Sequence, residues 1–208
     1  AATAAVVRAA REAGVGLLVF TSVIGADRQA SNRYFRTKGE AEALVADSGI
    51  AACIIRTPLL LGPGTAGADA ILWSASNNST RLLAGGNYTM HPLDVDDLSR
   101  AILNQCAQHQ SGAVTFELVG PEAILYCDLI RKVAELQGRN IEIGTMPVWL
   151  AKLGAGLSSK LKGGGITPTV IDVITIDEHI SVNAADQLGI TLTPLQTTLN
   201  KILEAKEK

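Results

Sequence analysis

Apolar positions in this chain come in two rhythms, short unbroken runs and helical spacings, with glycines between them. Residues 1–13 are alanine-rich and set Val6, Val7 and Ala10 on one helical face, with Gly14 as the stop. Residues 15–20 are apolar without alternation and end in Thr21-Ser22, which suits a strand covered on both faces of a parallel sheet. A polar loop over 25–32 leads to a second predicted helix, 33–47, closed by Ser48-Gly49. Residues 51–61 then form another apolar strand, broken at Gly62-Pro63-Gly64. Helix, strand, helix, strand with tight glycine punctuation makes half of a doubly wound α/β sheet.

Beyond Gly67 the pattern is less regular. Spacing predicts helices over 68–76, 96–108 (with an aspartate cap), 127–137, 147–161 and 194–204. Residues 87–94, 114–119 and 141–143 read as extended, and Gly163-Gly164-Gly165 as a flexible break. No internal repeat or low-complexity tract is present.

The 208 residues are 47% hydrophobic and 18% charged, with mean hydropathy +0.24, so the chain can bury a sizeable core and disorder is excluded. Net charge is -2 and the pI near 5.9, which leaves no basic patch for nucleic acid. The longest apolar-rich run, 51–62, contains Arg56 and is too short to span a bilayer. No basic-then-apolar leader opens the sequence, although its first residue is Ala1 and not Met. Cys53, Cys106 and Cys127 are odd in number and widely spaced, and are expected to be buried thiols in a reducing cytoplasm.

Tyr34 and Lys38 are the pair with chemical promise. Their i, i+4 spacing puts both on one face of the second predicted helix. A phenol titrates near pH 10, and a neighbouring ammonium favours the phenolate, so the pair can act as a general acid–base. A solvated helix face is the plain alternative. Ser22, at the carboxyl end of the preceding strand, stands where open α/β sheets hold their ligands. Its hydroxyl is expected to hold a substrate oxygen beside Tyr34, and the plain alternative is a strand-end turn residue.

Thr21-Ser22-Val23-Ile24-Gly25, Tyr34-Phe35-Arg36-Thr37-Lys38 and Arg56-Thr57-Pro58 running into Gly62-Pro63-Gly64 resemble the extended and atypical short-chain dehydrogenase/reductases. The likeness is to the NAD(P)-binding, epimerase/dehydratase-like group that shades into NmrA-like proteins. Lys38-Gly39-Glu40-Ala41-Glu42, Pro92-Leu93-Asp94-Val95-Asp96-Asp97-Leu98 and Phe116-Glu117-Leu118-Val119-Gly120-Pro121 match in the same order, over about residues 1–140. The resemblance implies Tyr34 as acid–base, Lys38 lowering its pKa and gripping the nicotinamide ribose, and Ser22 orienting the reacting oxygen. It implies cofactor contacts from Thr21, Lys38 and the backbone of Pro58, Leu59 and Leu60. Two departures stand: Arg56-Thr57 replaces the usual Arg-Pro, and the hydroxyl position falls on Ser22 or one place on, at Val23, which has none.

By the same resemblance, Ala1 falls in the helix before the family's fifth strand. Two βαβ passes of about thirty residues each are expected ahead of it, with the glycine fingerprint and the residue that separates NAD from NADP. The expected fold class is α/β, the C-terminal part of a Rossmann-type doubly wound parallel sheet with a small α/β substrate lobe. Residues 1–64 make the C-terminal half of the dinucleotide-binding domain; 65–208 make the lobe, with about 88–120 rejoining the sheet. The implied activity is NAD(P)-dependent oxidoreduction, epimerisation or dehydration at a carbinol or carbonyl carbon of a small-molecule substrate. The rival is a non-catalytic NAD(P)-binding scaffold or redox sensor, like the NmrA-like regulators or the complex I accessory subunit. An apolar strand 15–20 without its outer neighbour is expected to seek a homo-oligomer or strand partner.

Other motifs carry less. Gly62-Pro63-Gly64-Thr65-Ala66-Gly67 spells a dinucleotide fingerprint, yet Pro58 interrupts the strand before it and Asp94 stands 27 residues past Gly67. A loop is expected there. Asp94, Asp96 and Asp97 suggest capping by Asp96 or Asp97 before a hard-metal site. His91, His109 and His179 share no metal-ligand spacing, and Gly163–Gly165 is no phosphate loop. Trp73 and Trp149 are expected to line the core or a cleft.

Overall fold

The computed structural model describes residues 2–108, 111–153, 168–180 and 182–206. The first half runs α1 (Ala2–Glu12), β1 (Leu17–Val23), α2 (Arg33–Ala46), β2 (Ala51–Thr57), β3 (Leu60–Leu61), α3 (Ala66–Ser74), β4 (Ser79–Leu83) and a single 3-10 turn at Ala84–Gly86. Then come β5 (Thr89–Met90), β6 (Leu93–Asp94), α4 (Val95–Cys106), β7 (Ala113–Glu117), β8 (Ile124–Leu125), α5 (Tyr126–Leu136) and β9 (Glu142–Met146). Residues 148–153 form α6, followed by α7 (Pro168–Ile174) and α8 (Leu195–Lys206). His109 and Gly163–Gly165 lie outside the described residues, and the helix expected over 147–161 is described only to 153.

The chain divides into two compact units. The first comprises Ala1–Pro58, Leu93–Pro121 and His179–Thr193. Its sheet is parallel, in the order β1-β2-β7, with Ser22 level with Arg56 and Arg56 level with Glu117. Val7 of α1 and Val45 of α2 pack with Ala52 and Ile54 on one face, joined by Leu18 and Phe20, and α4 lies against β1. The central strand β2 is buried from Ala52 to Ile55, whereas Leu17 to Phe20 of the edge strand β1 are only half-buried. Full burial of an isoleucine such as Ile54 or Ile55 is worth about 1.5–3 kcal/mol. Asp97, fully buried on α4, accepts from the Thr193 amide (2.8 Å) and hydroxyl (2.6 Å) and pairs with Arg100. Asn104 donates to the carbonyls of Leu188 and Gly189, so the 179–193 segment is fastened to α4.

The second unit comprises Leu59–Pro92, Glu122–Glu178 and Pro194–Lys208. β4 pairs with β9 in parallel and β5 with β8 antiparallel. Ile71, Leu129, Ile130, Val133, Leu195 and Leu199 make its core, drawn from α3, α5 and α8. β4 falls where no strand was expected, because Arg81 interrupts its apolar run.

Several expectations are corrected here. The strand expected over 51–61 ends at Thr57, since Pro58 cannot donate to the ladder, and resumes only as the two-residue β3. The cap of α4 is Asp94, whose side chain accepts from the Asp96 amide at 2.9 Å, and not Asp96 or Asp97. Cys106 is exposed: the buried face of α4 carries Leu98, Ala101 and Gln105, and the next residue turns outward. Trp73 and Trp149 are 73% and 64% exposed, so neither is a core residue. Trp73 lines an open cavity of about 410 Å³ with Leu72 and Ile202, within the second unit.

Candidate active site

The loop after β1 sets the start of α2. Asn32 caps the helix in extended backbone (φ -69, ψ 124), its side chain accepting from the Tyr34 amide at 2.8 Å. The Asp27 amide donates to the Phe35 carbonyl (3.2 Å) and the Arg36 guanidinium to the Ala30 carbonyl (2.9 Å), which ties the loop to the first turn. Tyr34 therefore stands in that first turn, with Lys38 one turn on and Glu42 two turns on, along one face.

That face meets the carboxyl end of β1. Lys38 Nζ donates to the Thr21 carbonyl at 3.1 Å and lies 4.9 Å from the centre of the Phe20 ring. Burial lowers the Lys38 pKa, and the Glu42 carboxylate acts in the opposite direction. Tyr34 is 36% exposed, its ring edge-on to Phe35 with centroids 5.9 Å apart. Burial pushes its phenol up, where the sequence led us to expect a lowered value; the Lys38 ammonium is drawn to the Thr21 carbonyl and the Phe20 ring instead.

Ser22 is 2% exposed, and its hydroxyl has no hydrogen-bond partner. Its carbonyl accepts from the Thr57 hydroxyl at 3.2 Å, which fixes the ends of β1 and β2 together. The structure thus brings Thr21 to Lys38 and sets Tyr34 on the same helix face, while a Ser22–Tyr34 hydrogen bond is not made. Val23, the alternative hydroxyl position, is the half-buried last residue of β1. Pro58 closes this part of the first unit; Leu59 and Leu60 belong to the second, where Leu59 packs on that unit's core.

One part of the site was missed from sequence. Arg56 holds Glu42 with two hydrogen bonds, Nε to Oε1 at 3.0 Å and Nη2 to Oε2 at 2.7 Å, and lies 3.8 Å from Glu117. The signal was present: Lys38 and Glu42 share the i, i+4 spacing already noted for Tyr34 and Lys38.

The fingerprint-like loop has a structural account. Thr65 caps α3, accepting from the Ala68 amide (3.1 Å) while donating to the Gly62 carbonyl (2.9 Å). A β-carbon on Gly67 would stand 2.3 Å from the Leu60 carbonyl oxygen, so that glycine serves a close helix–strand approach. Among the described residues no group of three metal-ligating side chains gathers, and no helix is long and apolar enough to cross a membrane.

No family model matches the sequence, and no curated protein matches it. Solved structures do. MoeE5, determined with UDP-glucose and NAD, superposes with a TM-score of 0.73 at 18% identity, over 99% of this chain and 70% of its own. The dTDP-glucose 4,6-dehydratase DesIV of Streptomyces venezuelae, a double mutant with NAD and DAU bound, gives 0.72 at 15%, over 99% and 64%. The triphenylmethane reductase of Citrobacter sp. gives 0.72 at 18%, over 97% and 70%. Identities this low establish the fold: the chain is an α/β protein built on a Rossmann-type parallel sheet.

Proposed function

We propose that the protein is an NAD(P)-dependent oxidoreductase or epimerase/dehydratase-like enzyme acting at a carbinol or carbonyl carbon, with Tyr34 as its acid–base. The observation that carries this reading is the Lys38 ammonium seated on the Thr21 carbonyl, one turn from Tyr34, at the carboxyl end of a parallel strand. Ligands of open α/β sheets bind at that end. MoeE5 and DesIV, which share the fold, were determined with NAD bound.

The residues present suit the nicotinamide end of a dinucleotide. Lys38 has three N–H donors and spends one on Thr21, leaving the others for ribose hydroxyls. The Ser22 hydroxyl, buried and unpartnered, has its donor and acceptor capacity free for an oxygen of substrate or cofactor. Pro58 follows the end of the neighbouring strand, and the family resemblance would set its backbone towards the carboxamide. The Gly62–Gly67 loop is accounted for without a pyrophosphate: its last glycine is closed against the Leu60 carbonyl, and the Thr65 hydroxyl already takes the Ala68 amide. A bound nicotinamide would supply or accept the hydride.

Tyr34 moves the proton. Its phenol, pushed up by burial, stays protonated at neutral pH and is poised to donate to a carbonyl oxygen being reduced. Lys38 holds the ribose and stabilises the phenolate left behind. The substrate class is a nucleotide sugar, a steroid or quinone-like molecule, or a small aldehyde. MoeE5, with UDP-glucose bound, favours the first. The raised phenol is what favours the rival, a non-catalytic NAD(P)-binding scaffold or redox sensor.

Fluorescence titration of the intact protein with NADH and NADPH tests cofactor binding. Lys38→Met is expected to weaken it by about tenfold or more, as for a lost hydrogen bond to a charged group, and Tyr34→Phe to leave it nearly unchanged. Equal affinity in the methionine variant contradicts the assignment of Lys38.

A further inference from the structure

Arg56 has an unusual place for a guanidinium. It sits level with Ser22 on the neighbouring strand, yet its side chain reaches α2 and closes a two-pronged hold on Glu42, which is 7% exposed. Glu42 is four residues past Lys38 on the same face, the spacing at which carboxylate and ammonium ordinarily pair. Among the described residues no ion pair joins them. Glu42 faces Arg56, and Lys38 donates to the Thr21 carbonyl.

We propose that Arg56 is a positioning residue for the Tyr34–Lys38 pair: by gripping Glu42 it keeps that carboxylate off Lys38 and leaves the ammonium free to hold the end of β1. This rests on the function proposed above. The alternative arrangement is a Glu42–Lys38 pair, which the i, i+4 spacing on α2 allows. A fork of two parallel charge-assisted bonds is geometrically the stronger partner. Glu117 on β7 lies 3.8 Å from Arg56, and the charge of Asp27 in the loop before α2 also favours the guanidinium. Glu42, Arg56, Glu117 and Asp27 are the charged groups around the Lys38 end of this face, with Tyr34 the titratable neighbour one turn back.

The consequence is electrostatic as well as geometric. While Glu42 is paired with Arg56, the negative charge that it presents to Lys38 is partly offset by the guanidinium; freed, it acts undiminished. The ammonium would then be held more tightly as a cation and drawn from the Thr21 carbonyl towards the carboxylate.

The test is an NMR titration of Lys38 in protein labelled with ¹³C at the lysine ε carbons, the resonance assigned from its loss in Lys38→Arg. Arg56→Met is expected to raise the Lys38 midpoint by about half a pH unit and Glu42→Gln to lower it by about as much, as for gaining or losing one partly exposed neighbouring charge. The Arg56→Gln/Glu42→Gln double variant is expected to return it close to the wild-type value. Arg56→Lys keeps the charge but loses the fork, and is expected to raise the midpoint by less than Arg56→Met. A fork that merely ties α2 to β2 lowers the melting temperature and leaves the Lys38 midpoint where it is, which overturns the proposal. If Arg56→Met does not fold, an unmoved midpoint in both Arg56→Lys and Glu42→Gln overturns it equally. The titration uses neither dinucleotide nor substrate, so its failure is distinct from a failure of Tyr34 chemistry.

Discussion

Gly39 of α2 lies directly against the backbone of Arg28: a β-carbon at Gly39 would stand 2.4 Å from the Arg28 nitrogen, and 2.5 Å from the Asp27 carbonyl carbon. The crowding atoms are all backbone of the Asp27–Arg28 peptide, which cannot rotate away, so the loop before α2 must shift to admit a methyl group. Gly39→Ala is expected to lower the unfolding free energy by about 1–3 kcal/mol, the range for overpacking, measured by urea denaturation. Gly16, exposed with nothing within 4 Å of its β-carbon position, is the control. Gly16→Ala is expected to stay within about 0.5 kcal/mol of wild type. Because the loop carries the Asn32 cap, Gly39→Ala should also disturb Tyr34.

The three cysteines should separate by reactivity. Cys53 is buried, its thiol pushed up to about 11 by desolvation, with Cys106 adding to the shift. Cys127 is buried on α5, and Cys106 is exposed at the end of α4. Brief alkylation of the native protein at pH near 8 is expected to modify Cys106 first, read by intact mass. The thiolate is the reactive form, and burial keeps the reagent from both Cys53 and Cys127. All three should react after denaturation.

Much of the first unit was legible because local signals agreed. Unbroken apolar runs, helical spacing and a glycine stop marked α1, β1 and α2 within a few residues. Tyr34 and Lys38 were legible as a pair because they share a helix face, whereas Thr21 entered through the family resemblance. Three features were hidden by being non-local. The Glu42–Arg56 fork joins a helix to a strand 14 residues away. The 179–193 segment is fastened to α4 through Asp97 and Asn104, more than 80 residues earlier. β4 is recognisable only through its partner β9, since Ser79–Leu83 does not alternate cleanly, whereas 141–143 already reads as extended.

Glu178 should make the stability of the second unit depend on pH. Its carboxylate accepts from the His91 amide at 2.7 Å, and burial raises its pKa above the ordinary 4.5 despite His91 nearby. A carboxyl with a raised folded-state pKa binds its proton more tightly when folded. Its contribution is therefore complete below pH about 4.5 and is lost as pH rises through the folded value. Glu178→Gln keeps an acceptor for the His91 amide and removes the titration. The variant is expected to gain on wild type in unfolding free energy as pH rises from about 4 to 7, measured by urea melts across that range. Parallel pH profiles for the two proteins would exclude Glu178 as the titrating group.

Turnover by the Tyr34→Phe variant bears most directly on the central claim, that the Tyr34–Lys38 face of α2 carries the chemistry. The intact protein is supplied with NAD or NADP and screened against nucleotide sugars and small carbonyl compounds, and the variant is then measured on whichever substrate is accepted. Loss of the proton-moving phenol is expected to cut turnover by about 10²–10⁴, with NADH and NADPH affinities nearly unchanged. Undiminished turnover in the phenylalanine variant would contradict the account and leave Tyr34 and Lys38 as parts of a binding scaffold.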